Sequence, residues 1–417
     1  MKTYSDFYKG ISRSRYDQTG FDSLTNCDVH SELGLVQPQL ALAEDSATPN
    51  ENCIGVTAPN GDVYFFSKSS GKTWKRAVAD GSYSLVNTNA NGAHCGAGYF
   101  NGKIYYSTST KLGHYDLSST WTDTYQTWSQ TSTYRPMYEM NLSLFIGNGK
   151  YLASIDGGAT FADNSLDLPS NYSITTLTGV GTDLLIGTII GTNVSMCKVF
   201  LWDTYSSSWT VEDDVPEIGI NTFIPMDNIT IAQCGTAGNL YYWTGARMEK
   251  LKKLRSVTTS ANHYAAAILN GKSLFATGTK IFSFHREDKD MPLAIVQEYT
   301  ASGTVASIVV QASQLFVSTG SNIQKIGTSY ATATIITPEI QESFQNVLVN
   351  YDAYAAGIAI ATNPDGAGYT TQTAVVDSNR KIVHFDGGLG TVNYGQVRIT
   401  LTPSGTDVPK IKAITLI

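Results

Sequence analysis

Arg135, Tyr138 and Glu139 stand within seven residues of one another in TYRPMYE, 133–139. Their types suit the cleavage of a glycoside that carries a carboxylate. An arginine fork grips the carboxylate bidentately, a glutamate activates the tyrosine as nucleophile, and a further Asp acts as the acid. That chemistry needs a cluster of arginines, and the whole chain has only nine. The segment is therefore read as a connection between sheets. Other acidic groups, Glu212 with Asp213 and Asp214, and Glu287 with Asp288 and Asp290, sit in polar runs and read as solvated loop charges. His94 beside Cys95 has no second pair at zinc-ligand spacing. The Asp-Gly turns DGAG, 365–368, and DGGLG, 386–390, offer one carboxylate each, too few for a calcium loop. GNGK, 147–150, lacks the flanking glycine and the Ser or Thr of a phosphate loop, and no G-x-S-x-G elbow occurs. No catalytic residue, cofactor or metal ligand is assigned.

The elements that would carry any site are strands. Only 15% of the 417 residues are charged and 11% are aromatic, with 37 Gly and 24 Tyr. That composition argues against disorder, coiled coils and long surface helices. The net charge of -7 argues against a surface that coats nucleic acid or reads its sequence. The one concentrated basic run is MEKLKKLR, Met248–Arg255, which reads as a solvated segment or a contact for an acidic neighbour. Arg247 to Leu254 is also the strongest helix candidate.

The first ten residues, MKTYSDFYKG, contain no apolar stretch of the roughly 7–15 residues that a secretory leader needs. The weakly charged run near 184–202 is broken by Gly187, Gly191, Thr192 and Asn193 and reads as a hairpin, not a membrane span. The five cysteines, Cys27, Cys53, Cys95, Cys197 and Cys234, are widely spaced and read as small buried apolar residues. The expected chain is made in a cytoplasm. Its N-x-S/T triplets at Asn141, Asn171, Asn193 and Asn228 are then unmodified.

A two-strand unit recurs seven times, starting at Asn60, Asn101, Leu142, Thr182, Gly238, Asn270 and Ala312. The starts are 41, 41, 40, 56, 32 and 42 residues apart. Most of these match the roughly 40–45 residues of a four-stranded propeller blade, and the 56 and 32 fit a fifth unit that starts late in its blade. NG dipeptides at 60–61, 101–102 and 270–271 suit tight hairpin turns. The expected fold is all-β: a β-propeller of seven blades over 51–329, then a small C-terminal β-sandwich over 330–417. Residues 1–50 are an extended segment in which LVQPQLALAED, from Leu35, is the candidate ring-closing strand. The sandwich rests on period-2 patterns in NVLVNYDAY, from Asn346, and GQVRITLTPSG, from Gly395.

Trp74, Trp121, Phe161 and Trp209 form a second ladder. SIDGGATF, Ser154–Phe161, resembles the Asp-box of sialidase-like propellers, and SKSSGKTW, Ser67–Trp74, matches it with Ser69 in place of the Asp. YDLSSTW, 115–121, and WDTYSSSW, 202–209, look like degraded relatives. In such a box the Asp bonds the turn backbone and the aromatic packs between sheets, so Asp156 reads as structural.

The order of segments also resembles tailed-bacteriophage structural proteins of the tail and neck. The resemblance lies in NCDVHSELGLVQPQLALAED, 26–45, with Leu33-Gly34 where relatives carry Pro-Gly, in IITPEIQESFQNVLVNYD, and in the closing GQVRITLTPSGTDVPKIKAITL. It implies a non-enzymatic virion component, a tail nozzle, hub, baseplate or neck protein, that joins other tail proteins as a homo-oligomeric ring. A glycan-binding or glycan-hydrolysing propeller that meets a host-surface glycan is the alternative.

Overall fold

In the computed structural model the described residues are 1–9, 11, 20–32, 34–191, 196–226, 229–254, 257–285, 294–341, 344–387 and 394–417. They are all-β, with two single-turn 3-10 segments and no α-helix. The chain divides into two compact units that do not follow chain order. One holds Glu44–Lys280 and Ala301–Lys325; the other holds Met1–Ala43, Ile281–Thr300 and Ile326–Ile417.

The larger unit contains five complete four-stranded antiparallel sheets. The first is Cys53–Thr57, Val63–Ser67, Lys72–Arg76 and Tyr83–Thr88. The second is His94–Phe100, Lys103–Thr108, Lys111–Tyr115 and Trp121–Thr127. The third is Met137–Met140, Ser143–Asn148, Tyr151–Asp156 and Phe161–Asp167. The fourth is Tyr172–Val180, Asp183–Ile190, Cys197–Trp202 and Val211–Val215. The fifth is Ile220–Met226, Ile229–Cys234, Asn239–Trp243 and Met248–Lys253. The paired strands Ala266–Leu269 and Lys272–Thr277 follow, and then Ser307–Gln311 with Gln314–Ser318.

The first strand of each sheet packs against the first strand of the next, and Ser307–Gln311 returns to Cys53–Thr57. Hydrogen bonds lock that return: Gly55 N–H donates to Ser307 Oγ at 3.1 Å, Ser307 Oγ donates to the Cys53 carbonyl at 2.8 Å, and Thr57 Oγ1 donates to the Val310 carbonyl at 3.0 Å. The sheets therefore run radially from a shared axis, as in a β-propeller. Apolar clusters fill the wedges between neighbouring sheets. One joins Leu185, Val199 and Val215 of the fourth sheet to Phe223, Ala232 and Trp243 of the fifth.

The inner strands share a device that the sequence did not announce. The second, fourth and fifth carry a bulge at the same place, skipping Cys95, Thr175 and Asn221 in register. Each bulged side chain is polar and bonds a carbonyl. Thr175 Oγ1 reaches Ile220 O of the next sheet at 2.5 Å, and Asn221 Nδ2 reaches Gly235 O at 2.6 Å. Inner strands approach closely enough to require glycine at Gly96, where a Cβ would lie 2.1 Å from the Arg135 carbonyl.

Six of the seven sequence units coincide with the second and third strands of a sheet. The unit from Gly238 is the late one, covering the third and fourth strands of the fifth sheet. The weakly charged run near 184–202 is a hairpin as read: Asp183–Ile190 pairs antiparallel with Cys197–Trp202. The helix candidate at 247–254 is corrected. Met248–Lys253 is a strand paired with Asn239–Trp243, because the third strand offers a ladder that an eight-residue isolated helix cannot match. Its lysines lie on an outer edge, where charge discourages pairing with another sheet. Leu40–Glu44 is the fourth strand of the sheet that begins with Ser307–Gln311, and Asp45 N–H continues it by donating to Ile323 O at 2.9 Å.

In the smaller unit, one sheet runs in the order Lys2–Tyr4, Lys410–Leu416, Asn346–Ala353, Ile382–Asp386, Val375–Asp377. Asn346–Ala353 and Gly395–Leu401 alternate buried and half-buried residues, the period 2 of the sequence. Phe7 and Phe21 stack at 5.0 Å in the core of this unit.

Candidate functional site

The axis of the propeller is where such folds place a site, and here a segment of the chain fills it. Asn262–Ala265 leads into the sixth inner strand and bonds to the inner strands of five other sheets. Asn262 N–H donates to Asn221 O at 2.9 Å, and Ile308 N–H donates to Tyr264 O at 2.8 Å. Tyr264 hydroxyl accepts from Ala97 N–H at 3.0 Å and donates to the Arg135 carbonyl at 2.8 Å. His263 Nε2 lies 3.0 Å from the Met137 carbonyl, and Nδ1 lies 3.1 Å from Thr176 Oγ1. A carbonyl can only accept, so Nε2 carries the proton and Nδ1 accepts from the threonine. Thr176 Oγ1 in turn accepts Phe223 N–H at 3.2 Å. This chain of bonds fixes a neutral imidazole, and burial pushes its pKa down to about 4. His263 and Tyr264 thus act as a plug that ties the inner strands together.

Arg135, the centre of the glycosidase candidate, is 1% exposed. Its guanidinium bonds the carbonyls of Gly147, Ser109 and Gln130 at 3.3, 2.9 and 2.5 Å, and Asn148 Oδ1 at 2.5 Å. It stacks 4.4 Å over Trp128. An arginine buried this way, with both terminal nitrogens bonded to acceptors of the chain, is a latch between the second and third sheets and does not present its fork to a substrate carboxylate. Tyr138 is half-buried and Glu139 exposed. Arg76 is held by Asp45 at 2.6 Å and Arg247 by Glu249, so the described arginines of this unit do not converge.

Four tyrosines pair with carboxylates: Tyr83 with Asp45 at 3.1 Å, Tyr106 with Asp123 at 2.7 Å, Tyr241 with Glu217 at 3.1 Å and Tyr242 with Glu249 at 2.5 Å. For Tyr83 and Tyr241 burial and then the neighbouring negative charge raise the phenol pKa well above its ordinary value; for Tyr106 burial and then the hydrogen bond to Asp123 do so, and for Tyr242 the hydrogen bond to Glu249 comes first. These pairs serve as cross-links.

Asp156 accepts Thr160 N–H at 2.7 Å, as the Asp-box logic requires. Asp116 accepts the N–H groups of Ser118, Ser119 and Thr120, and Asp203 those of Tyr205 and Ser206. All three turns join third and fourth strands. Trp74 breaks the ladder: SKSSGKTW joins second and third strands, and there Ser67, not Ser69, caps the turn by accepting from Ser69 and Ser70 N–H. Glu212 and Asp214 pair with Lys198, and Asp213 accepts Met248 N–H at 2.7 Å, so these charges sit on a strand edge and not in a loop. Glu287, Asp288, Asp290, Asn193, Asn228, Arg255 and the end of the 386–390 turn lie outside the described residues.

Among the described residues, no group of three or more His, Cys, Asp or Glu clusters to hold a metal. His94 is buried against Phe66 and Tyr106, and its Nδ1 lies 3.1 Å from Ser67 O. The five cysteines are unbridged, and all but Cys95 are buried. No helix among the described residues is long and apolar enough to cross a membrane.

No protein-family model matches the chain, and no curated protein matches it. Solved structures do. The extracellular domain of a one-component system from B. thetaiotaomicron aligns with a TM-score of 0.51 at 12% identity, over 82% of this chain and 51% of that one. The chain thus spans about half the length of that protein. A chain of the mitotic checkpoint complex aligns with a TM-score of 0.51 at 11% identity, over 70% of this chain and 92% of that one. At such identities the likeness is one of fold, and with the radial sheets it is that of a β-propeller.

Proposed function

We propose that this protein is a non-enzymatic structural component of a tailed-bacteriophage virion. In this reading it sits in the tail, as nozzle, hub, baseplate or neck, and acts as a homo-oligomeric ring with other tail proteins as partners. The propeller has seven blades, one for each inner strand that meets its neighbour, and Leu40–Glu44 closes it. Residues 330–417 form a small sandwich that serves as the adaptor. The sequence resemblance supplies the class, and the plugged axis is the observation that carries the role. A wheel whose hub is filled by His263 and Tyr264, hydrogen-bonded to its spokes, gains rigidity at the place where an enzyme of this fold would keep an open depression. Preformed rigid faces lose little ordering entropy when they dock. Closed symmetry then lets identical copies complete a ring.

The glycan-hydrolysing alternative draws on Arg135, Tyr138 and Glu139, and the latch role of Arg135 counts against it. The test is purification of the full chain, light scattering after size exclusion, and a panel of sialosides and other glycosides. The expected result is a ring-sized oligomer with no turnover. Hydrolysis abolished by Glu139→Ala overturns the proposal.

A further inference from the structure

The sequence holds five Asn-Gly pairs, at 60–61, 91–92, 101–102, 148–149 and 270–271. This dipeptide carries a chemistry of its own. The glycine backbone nitrogen can attack the side-chain amide carbon of the asparagine before it, because no glycine side chain shields the approach. A folded chain slows that attack, since the bonds that fix the turn must open first. Four of the five pairs are held. Asn60 Nδ2 donates to Asp62 Oδ2 at 2.9 Å, and Gly61 N–H donates to Ala58 O at 2.9 Å. Asn91 Nδ2 donates to Asp123 O at 3.0 Å, and Gly92 N–H to Asn89 O at 3.3 Å. Asn101 Nδ2 donates to Gly157 O at 2.8 Å, and Gly102 N–H to the Tyr99 hydroxyl at 3.2 Å. Asn148 is fully buried, its Nδ2 donating to Asp163 Oδ1 at 2.9 Å and its Oδ1 accepting from Arg135 at 2.5 Å. Asn270-Gly271 is different. Both residues are exposed, and neither the Asn270 amide nor the Gly271 N–H has a hydrogen-bond partner among the described residues. A Cβ placed on Gly271 would meet nothing within 4 Å. The pair is the tip of a hairpin whose last paired residues are Leu269 and Lys272. Its backbone nearly repeats that of Asn101-Gly102, with φ 50 and 77 against 45 and 78, so the two tips differ in their bonds and not in their turn.

We propose that Asn270 is a site of spontaneous self-modification, at which the chain turns this asparagine into aspartate and isoaspartate with water as the only reagent consumed. Hydroxide takes the Gly271 N–H proton. The nitrogen forms a bond to Asn270 Cγ, the Cγ–Nδ2 bond breaks, and ammonia leaves with the returned proton. Water then opens the five-membered imide at one of its two carbonyls. One opening gives aspartate; the other gives isoaspartate, whose main chain runs through the side-chain carbon. Nothing is oxidised or reduced. The attack requires Asn270 to leave its left-handed conformation, and no side-chain bond opposes that movement. The product places a new carboxylate beside half-buried Lys272, and the isoaspartate lengthens the two-residue tip that sets the register of Ala266–Leu269 on Lys272–Thr277. The site goes beyond the assembly reading; conversion is read on the isolated chain, so either can fail without the other.

The test ages the full chain in H₂¹⁸O at mildly alkaline pH and maps its peptides by mass spectrometry. Asn270 should exchange its amide for a heavy oxygen about tenfold faster than Asn101, the effect of the two hydrogen bonds that only Asn101-Gly102 has. Isoaspartate, detected by enzymatic methylation, should be the larger product at Asn270. Asn270→Gln should remove the main product while the four held pairs keep their rates. Tyr99→Phe, which frees the Gly102 N–H, should speed conversion at Asn101 by about threefold and leave Asn270 unchanged. Equal rates at Asn270 and Asn101, conversion led by one of the held pairs, conversion of Asn270 without isoaspartate, or an Asn101 rate that ignores Tyr99→Phe overturns the proposal.

Discussion

At the residue scale, Arg135, Leu142 and the histidines His263 and His94 each test a different part of the scaffold. Arg135 holds four acceptors and no carboxylate. Arg135→Met should destabilise the fold by about 3–5 kcal/mol, since buried carbonyls lose their donors. A substrate-binding arginine would instead leave the denaturant midpoint almost unchanged. Leu142 is the opposite case. It is 83% exposed and sits at φ 58, in the left-handed region, at a hairpin turn. Leu142→Gly should raise stability by about 1 kcal/mol by relieving that conformation, read as a higher thermal midpoint. His263 and His94 are both held neutral by burial, each with its pKa pushed down to about 4. Unfolded histidines take up protons near pH 6.5. Between these values the unfolded chain binds more protons, so stability should be full above about pH 6.5 and fall as pH drops toward 4. Denaturant titrations across that range check the sign, and His263→Gln should flatten part of the slope.

At the element scale, the hairpins were legible because their turns and inner strands are local. Asn101-Gly102 and Asn270-Gly271 adopt the positive φ pair that their sequence demands. Asn141-Leu142 and Ala312-Ser313 make the same turn without glycine, so those copies were found by spacing and apolar strands alone. Fourth strands such as Phe161–Asp167 are half solvated and polar, and gave little signal. The bulges at Cys95, Thr175 and Asn221 and the axial plug were hidden for one reason: each depends on contacts tens of residues away, which no local period encodes. The closing strand was visible as an apolar stretch before the first unit. Its clasp was not. Asp45 is 2% exposed and accepts from Arg76 at 2.6 Å, Lys325 at 2.8 Å and Tyr83 at 3.1 Å. Burial works against its charge, but Lys325 and Arg76 outweigh it and hold the carboxyl below its usual range. Asp45→Asn should therefore lower stability by about 3 kcal/mol, with half-exposed Lys325 supplying the smaller share. A loss near zero would mean that the clasp does not secure the ring.

At the scale of the whole molecule, the propeller unit has polar groups spent on holding sheets to one another: Arg135 on carbonyls, tyrosines on carboxylates, His263 on a threonine and a carbonyl. Side chains so engaged make a stiff object. Stiffness, with His263 and Tyr264 tied to the inner strands at the hub, suits a part that works by fitting against other parts. The most direct measurement is the protein composition and reconstructed map of purified phage particles from the genome that encodes this chain. The expected result is the chain at a fixed copy number, arranged as a closed ring in the tail or neck. A chain absent from particles and monomeric in solution would contradict it.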